Sequence, residues 1–216
     1  MNRAMMRGLF VPAALALATA SAAVGQTRLD REGTVGLSVF GDYATITGES
    51  RLGLDFKSGA GYGLNIRYTL GPHWALGLGF HNQSYDAVNE VKGLGVDEMV
   101  STEVIGEIYY YRDRNTDAPQ YLMMGLGFYR PEIIYEDEDI LFPGENLVVT
   151  AGLGVEVFIR ETWGLDLSAR GFGYLGEGIA DQERDGAAGD GTPITAQGSF
   201  AVGLQAQVGL IYYLTR

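Results

Sequence analysis

The sequence predicts an all-β protein: a single closed, up-and-down, eight-stranded antiparallel barrel that spans a membrane. Three observations predict it. First, residues 200–213 alternate strictly. Phe200, Val202, Leu204, Ala206, Val208, Leu210 and Tyr212 share one face, and Ala201, Gly203, Gln205, Gln207, Gly209, Ile211 and Tyr213 the other. Successive side chains of a strand point to opposite faces, and this run exceeds an ordinary half-buried strand. Bilayer thickness calls for strands of this kind, with lipid against the apolar face. Second, seven earlier stretches alternate in the same way, joined by links that are long and short in turn. Third, the polar faces are rich in glycine, which weakens a strand facing solvent but fits a narrow interior.

The first stretch, residues 34–43, sets Val35, Leu37 and Val39 against Gly36, Ser38, Phe40 and Asp42. A polar link, 45–58, leads to the second, 59–70. There Tyr62, Leu64, Ile66, Tyr68 and Leu70 oppose Gly61, Gly63, Asn65, Arg67 and Thr69. Gly71, Pro72 and His73 make a tight turn. In the third stretch Trp74, Leu76, Leu78 and Phe80 oppose Ala75, Gly77, Gly79 and His81, and a polar link runs over 82–96. The fourth sets Val100, Thr102, Val104, Gly106, Ile108 and Tyr110 against Ser101, Glu103, Ile105, Glu107 and Tyr109.

A short link, 112–118, leads to the fifth stretch. Leu122, Met124, Leu126 and Phe128 oppose Tyr121, Met123, Gly125, Gly127 and Tyr129, followed by an acidic link over 130–145. In the sixth, Leu147, Val149, Ala151, Leu153, Val155, Val157 and Ile159 oppose Thr150, Gly152, Gly154, Glu156, Phe158 and Arg160. Glu161 and Thr162 turn the chain. The seventh sets Trp163, Leu165, Leu167 and Ala169 against Gly164, Asp166, Ser168, Arg170, Phe172 and Tyr174, and the longest polar link, 176–197, precedes the closing strand. Long links thus follow stretches one, three, five and seven. This is the rhythm of an outer-membrane barrel, with four long outer loops, three short periplasmic turns and both termini periplasmic. Tyr68, Trp74, Tyr110, Trp163 and Tyr212 sit near strand ends, where an interfacial girdle belongs.

Composition agrees. The chain has 216 residues, 32 of them glycine, with 19% charged residues and no cysteine. Neither a disulfide framework nor a thiolate metal site is available. A formal charge of −12 argues against nucleic acid, whose phosphates need clustered Lys and Arg. Residues 1–25 read as a secretory signal peptide. Arg3 and Arg7 precede a short apolar run and then small residues, with cleavage expected between Ala22 and Gln26. Residues 26–33 form a short lead, and 34–216 the barrel domain. No later apolar run is long enough for a spanning helix.

The polar face decides which way the barrel faces. A soluble barrel would put its apolar face inside. Here the glycine-rich face carries Arg67, Arg160, Arg170, Glu103, Glu107, Glu156 and Asp166. Such nearly balanced charges, confined together, pair and hydrogen-bond, because each would be costly to bury alone. Counted from the turns, Arg67, Glu107, Glu156 and Asp166 fall at similar depth, with Glu103 and Arg170 nearer mid-height. The expectation is a paired cluster that fills the lumen in preference to a water-filled channel.

The alternating strands, the turn Leu70, Gly71, Pro72, His73, Trp74, Ala75, Leu76, and the internal Glu/Arg set resemble the small OmpA/OmpX-type outer-membrane barrel family. The resemblance covers residues 34–216 and is architectural. It implies an outer-membrane protein of a diderm bacterium, inserted by the barrel-assembly machinery. Many members end on an aromatic residue, whereas this chain ends Tyr212, Tyr213, Leu214, Thr215, Arg216. It has no room for the periplasmic peptidoglycan-binding domain that such proteins often carry, so a cell-wall tether is not implied.

Other candidate sites are weaker. His81, Ser84, Tyr85 and Asp86 cluster near the outer end of the third strand, as His, Ser and an acid do in lipid A-editing barrels. A nucleophile needs its base within hydrogen-bond reach, yet in a strand His81 faces inward and Ser84 outward. Glu132, Glu136, Asp137, Glu138 and Asp139 could hold Ca²⁺ or Mg²⁺ shared with lipopolysaccharide phosphates, or be a solvated acidic loop; the acids from Asp181 to Asp190 read the same way. Gly186–Gly191 is a loop tip rather than a phosphate cradle, since no strand-to-helix context surrounds it. The expected protein is a monomer with a structural or surface-interaction role. Its partners are outer-membrane lipid and lipopolysaccharide, and it has no cofactor, no metal and no catalytic residue. The alternatives are a narrow pore for small solutes and an enzyme that modifies lipid A.

Overall fold

The computed structural model describes residues 32–47, 57–87, 96–114, 116–135, 139–141, 146–175 and 201–214. The expected signal peptide, most of the expected lead and the link acids at 136–138 and 181–190 lie outside the described residues. Among the described residues there are nine strands: β1 (Val35–Thr47), β2 (Ser58–Thr69), β3 (Trp74–Asp86), β4 (Val96–Tyr111), β5 (Gln120–Tyr135), β6 (Asp139–Leu141), β7 (Asn146–Phe158), β8 (Trp163–Leu175) and β9 (Ala201–Leu214). Eight of them close a barrel in which every neighbouring pair is antiparallel and β9 returns to β1. The short β6 pairs only with the far end of β5.

Closure fixes the tilt. Following paired residues round the barrel runs Gly36, Arg67, Gly77, Glu107, Gly125, Thr150, Phe172, Gly203, and arrives back on β1 at Ile46. The circuit therefore misses its start by ten residues. With ordinary strand spacing and rise, that stagger tilts the strands by about 40° from the axis.

All eight alternating stretches are strands, and the alternation has the expected sense. Leu64, Phe80, Val104, Phe128, Leu147 and Leu175 form one continuous paired row around the outside, each exposed. Contiguous apolar surface on this scale is not tolerated in water and marks a lipid-facing belt. At the short-turn end Trp74 packs edge-on to Tyr110 with centroids 5.0 Å apart, and Trp163 lies 4.8 Å from Tyr212.

Boundaries differ from expectation at the long-link end. β1 runs on to Thr47, β3 to Asp86 and β5 to Tyr135, while β4 begins at Val96. Residues 45–47, 82–86, 96 and 130–135, read as links, are strand, as are 97–99, which the alternation left unassigned. The outward positions above the Phe80–Phe128 row are mostly polar, Val100 and Ile134 excepted, so the apolar half of the alternation fades. The inward half persists in His81, Gln83 and Tyr85, all buried. Pairing replaces lipid contact as the support: Asn82 donates to Thr102 Oγ1 at 3.1 Å, and Ser84 to Glu98 Oε2 at 2.7 Å.

Candidate functional site in the barrel lumen

Long side chains on inward positions cross the bore, and glycines make room for rings. A Cβ on Gly63 would lie 2.2 Å from Phe40 Cζ, and one on Gly154 2.3 Å from Tyr121 Cζ. Small residues therefore stand where aromatic rings need space, as a narrow barrel demands.

Two arginine struts organise the interior. Arg67, on β2, reaches Glu156 on β7, four strands round and so on the opposite wall, and donates to it. Its other terminal nitrogen lies 3.0 Å from Asp166 Oδ2 on β8. Tyrosines box this group. Tyr111 donates to Glu156 and accepts from Arg67 at 2.8 Å, Tyr213 donates to Glu156 Oε2 at 2.7 Å, and Tyr121 to Asp166 Oδ1 at 2.6 Å. The guanidinium lies 3.9 Å from the centre of the Tyr109 ring. Buried charges are tolerable only when partnered, and here both terminal nitrogens of Arg67 and both carboxylates have partners. Arg114, in the link after β4, closes this end. Its guanidinium lies 3.7 Å from the Tyr111 ring centre, and it donates to the Gly71 carbonyl at 3.1 Å.

The second strut is Arg170 on β8. It donates to Gln205 on β9, lies 3.4 Å from Glu107 Oε1 on β4, and places Nη2 2.8 Å from His81 Nδ1 on β3, again the opposite wall. A guanidinium only donates, so His81 Nδ1 accepts. Asn65 donates to Glu107 Oε2 at 2.6 Å, and Tyr109 donates to the same oxygen. Toward the long-link end Glu103 accepts from Tyr174 at 2.5 Å and from Ser101 at 3.4 Å, and Tyr174 and Tyr85 hydroxyls are 3.2 Å apart.

The structure thus gathers Arg67, Glu156 and Asp166 into one layer, Arg170 and Glu107 into another, and sets Glu103 apart with hydroxyl partners. Glu107 sides with Arg170 rather than with Arg67, because depth along the strand does not say which wall a side chain reaches. Arg160 is corrected outright. β7 stops at Phe158, and Arg160 is an exposed residue of the following turn. Extending the alternation through the turn placed it in the lumen. Without it the inward positions among the described residues hold Arg67 and Arg170 against Asp42, Glu103, Glu107, Glu156 and Asp166, so acid exceeds base instead of nearly matching it. The inward tyrosines and Asn65, Gln205 and His81 were missed as parts of the network, although all occupy inward positions of the alternation.

His81 and Ser84 do not meet. His81 is buried inside against Arg170, while Ser84 faces outward toward Glu98. Among the described residues no group of His, Asp and Glu is placed to hold a metal.

A family model, the outer membrane protein beta-barrel domain, matches residues 10–210. The chain belongs to this family. Similar solved structures include Neisserial surface protein A, 13% identical with a TM-score of 0.53, covering 84% of this chain and 99% of that one. Ail, the attachment invasion locus protein of Yersinia pestis, is 13% identical with a TM-score of 0.50, covering 85% and 99%. The outer membrane protein AlkL is 12% identical with a TM-score of 0.50, covering 90% and 96%. At these identities the likeness shows the shared barrel fold. Among curated proteins none matches the sequence.

Proposed function

We propose that this family member sits in the bacterial outer membrane after cleavage of its signal peptide and acts there as a structural or surface-interaction protein, with a lumen closed by side chains. It is a monomer and not an enzyme, and the barrel-assembly machinery inserts it. Its short turns face the periplasm. Its long links face outward, among lipopolysaccharide and whatever surface partner it meets. The observation that carries this reading is the pair of arginine struts. Arg67 and Arg170 each join opposite walls, and tyrosines fill the space around them. A side-chain-filled bore is the ordinary state of an eight-stranded barrel.

Planar-bilayer recording of the refolded protein tests it, with Glu107→Gln alongside. The expected result is no steady conductance in the wild type. Steady conductance that Glu107→Gln alters would sink the closed-lumen reading and make the Arg170 layer a gate. That outcome belongs to the second reading, a narrow pore for small solutes. One observation favours it: acid exceeds base along the lumen, as a cation path would require.

A further inference from the structure

Between the two struts the lumen contains a cavity of about 20 Å³, bordered among others by Asn65, Arg67, Glu107, Asp166, Ser168 and Gln207. Roughly 10–15 Å³ is enough for one water molecule. Three of these residues bring a buried polar atom that has no protein partner: Asn65 Oδ1, Arg67 Nε and Gln207 Nε2.

The rest of each side chain has a partner, which leaves one polar atom of each over. Asn65 Nδ2 donates to Glu107 at 2.6 Å and to Tyr109 at 3.2 Å, which leaves its oxygen over. Gln207 Oε1 accepts from Ser168 at 3.0 Å, which leaves its amide hydrogens over. The terminal nitrogens of Arg67 are engaged by Glu156, Tyr111 and Asp166, which leaves Nε. The remaining valences are therefore one acceptor and two donors. A cation would meet the N–H groups of Arg67 and Gln207. An anion would meet the Asn65 oxygen and the carboxylates of Glu107 and Asp166. Only a small neutral group that donates one hydrogen bond and accepts two answers all three.

We infer that this cavity is a built site for a single water molecule, which links the Arg67 layer to the Arg170 layer through Asn65 and Glu107. The two layers are then one hydrogen-bonded unit. This holds whether or not the barrel conducts.

Solution NMR of the refolded chain in deuterated micelles tests the site. Dipolar cross-peaks between water and the Arg67 Nε–H and Gln207 side-chain amide protons are read in the laboratory and rotating frames. Comparing the frames separates long-lived contact from proton exchange. The expected result is long-lived contact at both groups, with the Arg67 cross-peak lost in Gln207→Met. Addition of rubidium or bromide, each in turn, is expected to leave both resonances in place. Absence of both cross-peaks in the wild type overturns the proposal without recourse to any variant. So does a saturable shift of these resonances with either ion, which would make the occupant an ion.

Discussion

Glu156 shows how a barrel interior tolerates charge. It is 1% exposed and receives hydrogen bonds from Arg67, Tyr111 and Tyr213. Arg67 also serves Asp166, so removing the arginine leaves one buried and one partly buried carboxylate without their cation. Breaking a buried pair from one side costs about 3–5 kcal/mol. Arg67→Met is therefore expected to destabilise the barrel by about that amount, read as a fall in the urea midpoint of refolded protein in lipid vesicles. Glu156→Gln keeps the shape and leaves Asp166 to Arg67, so its fall should be smaller; equal midpoints would refute the strut. Which residues face inward was legible from period two alone, and Arg67, Glu103, Glu107, Glu156, Asp166 and Arg170 are all inside. Their pairing was not. A count along one strand carries no information about the wall opposite, and Glu107 turns to Arg170 for that reason. Arg160 was misplaced because alternation was carried two residues past the end of β7.

The strands themselves were legible wherever lipid contact imposes an apolar half on the alternation. Where β3, β4 and β5 continue beyond the belt, polar residues such as Asn82, Ser84 and Glu98 occupy the outward side, and composition there resembles a loop. β6 is too short to carry a period at all. Strand pairing also makes a testable distinction between two adjacent glycines. A Cβ on inward-facing Gly127 would lie 2.1 Å from the Val104 carbonyl oxygen and 2.7 Å from Ile105 Cα, both backbone atoms of the paired strand. On Gly106, which faces lipid, it would meet nothing closer than the Leu126 oxygen at 3.6 Å. Gly127→Ala is expected to impair refolding, scored by gel mobility before and after boiling, whereas Gly106→Ala should refold like the wild type. The girdle gives another check. The chain has two tryptophans, Trp74 and Trp163, both at the short-turn end. Lipids brominated near the glycerol are expected to quench their fluorescence more strongly than lipids brominated near the chain ends. The reverse order would place this end away from the interface.

At the scale of the whole molecule, eight strands and a ten-residue stagger set a bore that an arginine and its partner on the far wall can span, with tyrosines filling the space around them. The conductance and water-contact measurements act at this scale, since both ask whether the interior behaves as one filled unit. Closure has a further consequence, one of timing. Every residue of β1 has a partner in β9, so Val35 meets Leu214 across nearly the whole described chain. The other barrel pairings join successive strands of the barrel, which can form as hairpins. Contacts of such long sequence separation form late, because the intervening chain must be ordered before they repay its entropy. The β1–β9 seam is therefore expected to shut last. Until it does, two full-length strand edges stand with unpaired backbone groups at the brink of a hydrocarbon phase that cannot satisfy them. The moment of greatest danger in this protein's life is the one just before its ends meet, and a chaperone that holds the β9 edge through that interval would act where the fold most needs it.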